Sequence, residues 1–267
     1  DASVDDLLDA GARSFEIFRQ WHPAGYREHV AVAEAAGVDA VQLFTAGNMT
    51  DMRDVVLLGT QRRARPDAEG CSAVLVPAAK SASGQHVCGQ TWDLNPQDVD
   101  YVVAVRRKPD DALQTWSVSV CGCPSLVGMN EAGVTIGTTN VKTWGARAGV
   151  GYMNILHRMM EEKTASAAIA IAECAQRSGA HVYWACDADE GIEIEAAPTT
   201  SERRDLRDGA ICRTNHCLAP ANIDDEWDAP SNSSVARLAR LTRAVEDGAV
   251  HVDDIVAMFA DRSDGVD

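Results

Sequence analysis

The sequence predicts an α+β fold in one domain, and three features of the chain lead to this prediction. The first 60 or so residues carry apolar side chains at helical spacing. From residue 71 onward, short β-prone runs are separated by Gly, Pro, Asn or Asp, and a later region alternates two helices, a hairpin and two more helices. This order is typical of α+β proteins. A chain of 267 residues with 46% hydrophobic content can bury the core of one such domain.

Three helices are predicted at the N-terminus. The first is amphipathic, runs from about Val4 to Phe18 and is broken at Pro23-Ala24-Gly25. A second helix is predicted from Tyr26 to Ala36, where Gly37 ends it, and a third from Asp39 to Met52.

A polar segment separates this helical leader from the rest of the chain. Residues 61–69 are charged and contain a proline, so we expect an exposed linker. The predicted organisation is a helical leader over residues 1–70 and a catalytic body over residues 71–267, within one structural domain overall. The strands predicted in the body are Ser72–Val76, Val87–Trp92, Tyr101–Arg106, Thr115–Val120, Val134–Thr139, His181–Cys186 and Ile192–Ala196. The helices predicted there are Tyr152–Glu162, Ala165–Arg177, Ser234–Glu246 and Val252–Ala260.

The composition disfavours several classes of function. Lys plus Arg total 24 and Asp plus Glu total 40, so the formal net charge is −16. This negative charge disfavours binding to nucleic acid or to an anionic membrane, and no apolar stretch approaches the ~20 residues that cross a bilayer. Eight cysteines without a secretory signal predict buried thiols and a cytoplasmic, reducing location. Because the chain has no initiating methionine and ends in a polar tail, we expect a segment of a longer polypeptide.

The junction between Gly70 and Cys71 carries the chemistry of self-cleavage. The glycine gives backbone freedom beside a cysteine that opens an apolar run. Attack of the Cys71 thiolate on the Gly70 carbonyl would form a thioester, and water would then release Cys71 as a new N-terminus. The freed α-amino group, with an ordinary pKa of about 7.7–8.0, can act as the base for the thiol. The alternative interpretation of Cys71 is a buried core cysteine.

Five short motifs occur along most of the chain in a recognisable order. They are Gly70-Cys71-Ser72, Gly89-Gln90-Thr91-Trp92-Asp93, Gly128-Met129-Asn130-Glu131-Ala132-Gly133-Val134, Thr214-Asn215-His216 and Ser233-Ser234-Val235-Ala236-Arg237-Leu238-Ala239-Arg240. In these motifs the chain resembles N-terminal-nucleophile hydrolases of the acyl-coenzyme A:6-aminopenicillanate acyltransferase family, and more distantly the choloylglycine and penicillin V acylases. The resemblance implies a four-layer αββα sandwich, synthesis as an inactive precursor, and action on amide or thioester bonds through the exposed cysteine.

The resemblance also implies roles for single residues. It assigns Asp93 the orientation of the nucleophile's ammonium group, although Asp93 also opens a sequence typical of turns. Asn215 matches the asparagine that stabilises the oxyanion, and Ser72 is implied to contact the cysteine amine. Arg237 and Arg240 share one predicted helix face, and the resemblance, which places an arginine near the nucleophile, favours Arg237.

Three further side chains are candidates with less specific signals. Asn130 is a second candidate for oxyanion stabilisation, although the shaping of a hairpin turn is its commoner use. Trp92 and His216 are candidates for substrate binding. A self-activating terminal cysteine needs no histidine base, so a structural role is the alternative for His216.

The predicted function is therefore a self-processing cysteine amidohydrolase or acyltransferase. Its expected substrate is a small-molecule linear amide or acyl compound, and cleavage would leave a heterodimer of leader and body; a homo-oligomer is also compatible with the sequence. We expect no cofactor and no metal, and a coenzyme A thioester is compatible with the resemblance as a co-substrate.

Two other classes stay open. One is a relative that is neither processed nor catalytic and binds a ligand or partner. The other is a metal or redox protein that uses Cys121-Gly122-Cys123 and the cluster of Cys212, His216 and Cys217. Structural zinc sites need a second well-spaced pair of ligands, which the sequence does not supply.

Overall fold

The computed structural model describes residues 2–62, 70–94, 96–246 and 249–261. In this part of the chain the helices are α1 (Val4–Trp21), α2 (Pro23–Ala36), α3 (Ala40–Gly47), α4 (Met49–Leu57), α5 (Tyr152–Met159), α6 (Ala165–Cys174), α7 (Pro220–Ile223), α8 (Asn232–Glu246) and α9 (Val252–Ala260). The strands are β1 (Cys71–Val76), β2 (Val87–Trp92), β3 (Val102–Arg107), β4 (Thr115–Val120), β5 (Val127–Asn130), β6 (Thr135–Asn140), β7 (His181–Cys186), β8 (Gly191–Ala196), β9 (Ser201–Asp205) and β10 (Ile211–Arg213).

The strands form two antiparallel sheets. The small sheet has the order β10-β1-β2, and the large sheet has the order β3-β4-β5-β6-β7-β8-β9. In the small sheet, Cys71 at the start of β1 lies opposite Trp92 at the end of β2. This register brings the predicted nucleophile next to the residue that precedes Asp93.

The two sheets pack face to face between layers of helices. Ala73 and Leu75 of β1 pack against Trp184 of the large sheet and form the layer between the sheets. Val74, on the opposite face of β1, packs against Leu241 of α8. Helices α5 and α6 cover the outer face of the large sheet. The predicted α+β class with a four-layer αββα arrangement is confirmed.

The N-terminal helices belong to the same core. The rings of Phe15 in α1 and Phe44 in α3 lie 5.3 Å apart between centroids, and Met52 of α4 is fully buried. This cluster continues into Met153 and Leu156 of α5. Separation of the leader from the body would therefore expose a large apolar surface.

Capping residues set the boundaries of these helices. Ser3 and Asp6 form a capping box at the start of α1, and the Asp39 carboxylate accepts the first backbone N–H groups of α3. Gly37 ends α2 in the left-handed conformation, with a φ of 67°. Pro23, predicted to break the first helix, instead occupies the first turn of α2, where its missing N–H costs nothing.

The third predicted helix is two helices in the structure. The break falls at Asn48, whose side-chain amide donates to the Phe44 carbonyl and to the side chain of Asn154. A side chain that bonds its own backbone competes with helix continuation. Helix α4 therefore starts in a new direction at Met49.

Strands β5, β9 and β10 were not predicted from the sequence. β9 consists of polar residues at the edge of the large sheet, and β10 has only three residues. Neither has a clear alternating apolar pattern. Most of the linker predicted at residues 61–69 lies outside the described residues.

Among the described helices, none alone has the length and apolar composition of a membrane span. The pair Pro23–Ala36 and Ala40–Gly47 meets those two criteria when taken together, but the two helices are bent by 110° relative to each other.

Candidate active site

The Gly70–Cys71 peptide group is bound on both sides by polar groups. The Gly70 carbonyl accepts a hydrogen bond from the Asp93 backbone N–H at 2.9 Å, and the Cys71 N–H donates to Asn215 Oδ1 at 2.8 Å. A Cβ atom at position 70 would lie 2.5 Å from Asp93 Oδ2, so a side chain there would disturb the contact between this peptide group and Asp93. Like Ala73, two residues along β1, Cys71 faces the large sheet.

Arg237 of α8 hydrogen-bonds to the next peptide group, between Cys71 and Ser72. One guanidinium nitrogen, Nη1, donates to the Cys71 carbonyl and, at 2.9 Å, to Ser72 Oγ. The other, Nη2, donates to Asn215 Oδ1 at 2.9 Å. Arg240 is paired instead with Asp261, so the structure brings Arg237 and not Arg240 to the cysteine.

Asn215 follows β10, the strand beside β1. Its side chain hydrogen-bonds to the Cys71 N–H, to Arg237 and to the Asn140 carbonyl. Its Nδ2 donates to the Asn140 carbonyl at 3.0 Å, and its backbone N–H donates to Ser234 Oγ at 2.9 Å. Since Arg237 and the Cys71 N–H are both donors, they require the carboxamide oxygen to face them. One N–H of Nδ2 remains after the bond to Asn140. The predicted oxyanion role of Asn215 depends on that second N–H and stays a prediction.

The environment disfavours the thiolate form of Cys71 in the intact chain. Burial raises the pKa of the Cys71 thiol to about 12, and the nearby Asp93 carboxylate adds to this rise. A hydrogen bond from the Asn140 backbone and the charge of Arg237 act in the opposite direction. The thiol therefore needs a base before it can attack.

A small cavity lies against Cys71. Its volume is about 30 Å³, which is enough to hold a water molecule. The residues that line it include Trp92, Asp93, Asn140 and Asn215. Three of the predicted site residues, Trp92, Asp93 and Asn215, therefore meet at the nucleophile.

A comparison with protein families identifies a known family for most of the chain. The model described as acyl-coenzyme A:6-aminopenicillanic acid acyl-transferase matches residues 80–267, more than two thirds of the chain. The chain belongs to this acyl-transferase family. The family resemblance inferred from the motifs is thereby confirmed. Because the matched residues begin after Cys71, the case for that nucleophile in this family member rests on its own geometry.

Two other comparisons add little to the family assignment. A comparison with curated proteins gives no match. Among solved structures, penicillin V acylase from Agrobacterium tumefaciens is similar at 10% identity and a TM-score of 0.37, over 74% of this chain and 64% of that chain. The acyl-transferase family member described here thus spans less than two thirds of that protein, and a likeness at this level carries no argument.

Two predicted site residues of this family member lie elsewhere. His216 is buried with Nδ1 2.7 Å from Ser234 Oγ, and it is not among the residues that line the Cys71 cavity. Asn130 donates to the carbonyls of Met160 and Glu162 and accepts from backbone groups of the β5–β6 turn. His216 therefore makes the structural contact given as its alternative role, and its contact with substrate stays a prediction. Asn130 shapes the hairpin turn, and its candidacy for the oxyanion is corrected.

The structure also brings to the cavity residues that the sequence had not indicated. Asn140 at the end of β6, Tyr152 at the start of α5 and His181 at the start of β7 all line it. None lies in a motif that would have marked it. Among the described residues, no group of three His, Cys, Asp or Glu side chains could hold a metal ion.

Proposed function

We propose that this family member is a self-processing cysteine amidohydrolase or acyltransferase with Cys71 as its nucleophile. The observation that carries the proposal is the double hydrogen bonding of the Gly70–Cys71 peptide group by Asp93 and Asn215, with Arg237 on the following carbonyl. These residues come from three separate parts of the chain and converge on one peptide bond. A peptide group bound in this way has a fixed orientation, which favours attack.

The first reaction is cleavage of the chain. Cys71 Sγ attacks the Gly70 carbonyl carbon, a C–S bond forms, and the C–N bond breaks to give a thioester and a free amine. Water then hydrolyses the thioester and leaves a Gly70 carboxylate. The Asp93 N–H, which already donates to this carbonyl oxygen, stabilises the negative charge that develops on it; such a donor typically contributes about 10²–10³ in rate.

The second reaction acts on an external substrate. The released Cys71 amine stays beside Asn215 Oδ1 and the Asp93 carboxylate, which hold its direction. Since the ordinary pKa of an α-amino group is about 7.7–8.0, activity should rise from neutral to mildly alkaline pH as the amine loses its proton. Initial rates measured across that pH range test this step.

The substrate is a linear amide or thioester whose acyl carbonyl takes the position of the Gly70 carbonyl. The acyl group passes to Cys71 and then to water or to an amine, and an acyl-coenzyme A thioester is a suitable donor for the second outcome. The leader stays bound to the body as a heterodimer, because its aromatic side chains are part of the shared core.

Intact mass and N-terminal sequencing test the proposal directly. The purified wild-type protein should resolve into two associated fragments, the larger beginning at Cys71. Cys71→Ala should remain one chain, whereas Cys121→Ala, which alters an exposed cysteine outside the site, should process normally. Cleavage of Cys71→Ala at the same bond would mean that another protease makes the cut.

The alternative is a family relative that binds a ligand without cleaving itself. The observation that favours it is the volume of the Cys71 cavity in the intact chain, which at about 30 Å³ is too small for an acyl substrate. A wild-type chain that stays joined at Gly70–Cys71 and shows no thiol activity would support this alternative.

A further inference from the structure

A buried histidine and a buried carboxylate form a pair behind the Cys71 cavity. His181 Nε2 lies 2.7 Å from Asp51 Oδ1, and both side chains are nearly inaccessible to solvent. The second oxygen of Asp51 accepts the Tyr152 backbone N–H at 2.8 Å. Asp51 belongs to α4, so the leader supplies one half of this pair and the body the other.

The pair fixes both the tautomer and the plane of the His181 ring. A carboxylate can only accept, so Nε2 carries the hydrogen, and in the neutral ring Nδ1 keeps its lone pair. The Tyr152 ring stacks on the imidazole with centroids 4.5 Å apart and an angle of 15° between planes. Nδ1 is therefore held as a hydrogen-bond acceptor in one direction.

Two buried polar atoms beside the cavity have no partner among the described residues. They are His181 Nδ1 and Asn140 Oδ1, both acceptors. The two residues are direct neighbours across β6 and β7, and both line the Cys71 cavity. The cavity is large enough to hold a water molecule, and a water molecule offers two O–H donors to two such acceptors. The backbone of Asn140 also contacts the Cys71 thiol.

Self-cleavage raises a problem that later turnover does not have. Before the chain is cut, the nitrogen of Cys71 is a peptide amide, which cannot accept the thiol proton. The buried thiol, with its raised pKa, gives up that proton only to a base. Of the cavity's basic groups, an imidazole is intrinsically a stronger base than a carboxylate such as that of Asp93.

We propose that His181, held by Asp51 of the leader, is the base for self-cleavage at Gly70–Cys71. The proton leaves Cys71 Sγ and reaches His181 Nδ1 through a water between Nδ1 and Asn140 Oδ1, as sulfur attacks the Gly70 carbonyl. The imidazolium returns this proton by the same route to the departing Cys71 nitrogen, so the acyl shift consumes no co-reactant. Water then hydrolyses the thioester.

This inference rests on the proposed self-processing and assigns His181 to one step. Once the acyl shift has freed the Cys71 amine, the amine is a base at the thiol itself and serves in every later turnover. His181 is therefore needed once in the life of each molecule. Its loss should slow maturation far more than it slows the turnover of each matured molecule.

The experiment follows decay of the newly synthesised full-length chain by gel and mass spectrometry. His181→Gln keeps an N–H donor for Asp51 but has no basic lone pair, and it should slow cleavage by about 10²–10⁴-fold. His157→Gln is the matched control, because His157 is also buried and paired with a leader carboxylate, that of Glu28, outside the cavity. Thermal unfolding of the variants checks that they fold. Turnover is expressed per cleaved molecule, counted as free Cys71 termini.

Chemical rescue separates a base from a side chain that only fills space. With His181→Ala, added imidazoles of similar size and graded basicity should accelerate cleavage in order of their basicity. Acceleration that is independent of basicity would overturn the base role, as would wild-type cleavage rates in both His181 variants. If the wild-type chain itself is never cut at Gly70, the proposed function fails together with this inference. If the wild-type chain is cut at Gly70 and both His181 variants are cut at the same rate, this inference alone fails.

Discussion

Among the described residues, the leader contributes a carboxylate to a histidine of the body in two places, and the two places differ. His181–Asp51 is fully buried and lies against the Cys71 cavity. His157–Glu28 is partly open to solvent, with 44% of the Glu28 side chain exposed, and Arg107 also binds that carboxylate. The first pair leaves an acceptor, His181 Nδ1, beside the Cys71 cavity, whereas the second pair joins the surfaces of α2 and α5. The leader is thus part of the site at one contact and an attachment at the other.

The largest effect is expected from removal of a core aromatic ring of the leader. Phe44→Ala deletes a fully buried ring that packs on Phe15 and Phe18, and should lower the free energy of unfolding by about 3–5 kcal/mol. Because the leader and the body share this cluster, urea unfolding should remain one transition. Val4→Ala, at a site 70% exposed, is the control and should change stability by less than about 0.5 kcal/mol. Two separate transitions in the wild type would contradict the shared core.

The second prediction concerns the boundary between leader and body. Gly70→Ala would bring a Cβ to 2.5 Å from Asp93 Oδ2 and displace the peptide bond to be cut. Self-cleavage should slow by about 10²-fold or more, the usual result of displacing a reacting group by about 1 Å. Gly89→Ala on β2 meets its nearest atom at 3.5 Å and should cleave at the wild-type rate. Equal rates for the two variants would remove the steric argument.

The third prediction concerns how the stability of the protein depends on pH through Asp54, a residue of the leader. Burial raises the pKa of Asp54 in α4 to about 7. The protonated form is the stable one in the folded chain, so its contribution to stability is fully present below about pH 4 and is lost as pH rises through about 7. Asp54→Asn should remove this loss and raise stability on the alkaline side, on the order of 1–3 kcal/mol.

Thermal unfolding at mildly acidic and mildly alkaline pH measures that difference. Asp5→Asn, which alters an exposed carboxylate of the same leader, should leave the pH dependence as it is in the wild type. A wild-type stability that does not fall between these conditions would contradict the assignment to Asp54.

The smallest effect on stability is expected at the contact between His157 and Glu28. Hydrogen bonding to His157 and the nearby Arg107 lower the pKa of Glu28 to about 2. The contribution of this carboxylate is present above about pH 4.5 and is lost as pH falls through about 2. Since Glu28 is partly exposed, Glu28→Gln should cost less than about 1 kcal/mol at neutral pH. A double-mutant cycle with Arg107→Gln measures the coupling, and a coupling of several kcal/mol would show that the contact matters more than its exposure indicates.

The sequence predicts those parts of the site that lie in local motifs. Cys71, Asn215 and Arg237 each sit in a short motif, and the resemblance identifies these motifs without knowledge of the fold. In the structure their contacts span 144 and 166 residues of chain. The antiparallel pairing of β1 with β2 and β10 brings these parts of the chain together. The sequence predicts β1 and β2 but not β10.

The rest of the site depends on tertiary placement. Asp51 and His181 are 130 residues apart, and each looks ordinary in its own segment. His216 follows Asn215 in one of the family motifs, but the direction of its ring is set by the Ser234 hydroxyl on α8. No local pattern encodes which way a buried ring points, so the sequence does not show that His181, rather than His216, lines the cavity.

If the chain is cut as proposed, the hydrogen bond from the Asp93 N–H to the Gly70 carbonyl has a consequence for the processed protein. It continues the β1–β2 ladder by one rung beyond Cys71, so the new carboxyl terminus of the leader would remain on the sheet where an acyl group must enter. A tail attached to a docked helical bundle has a high effective concentration at that rung. The leader would then act as a tethered competitive inhibitor. An extended substrate that hydrogen-bonds to the Asp93 N–H must first displace it.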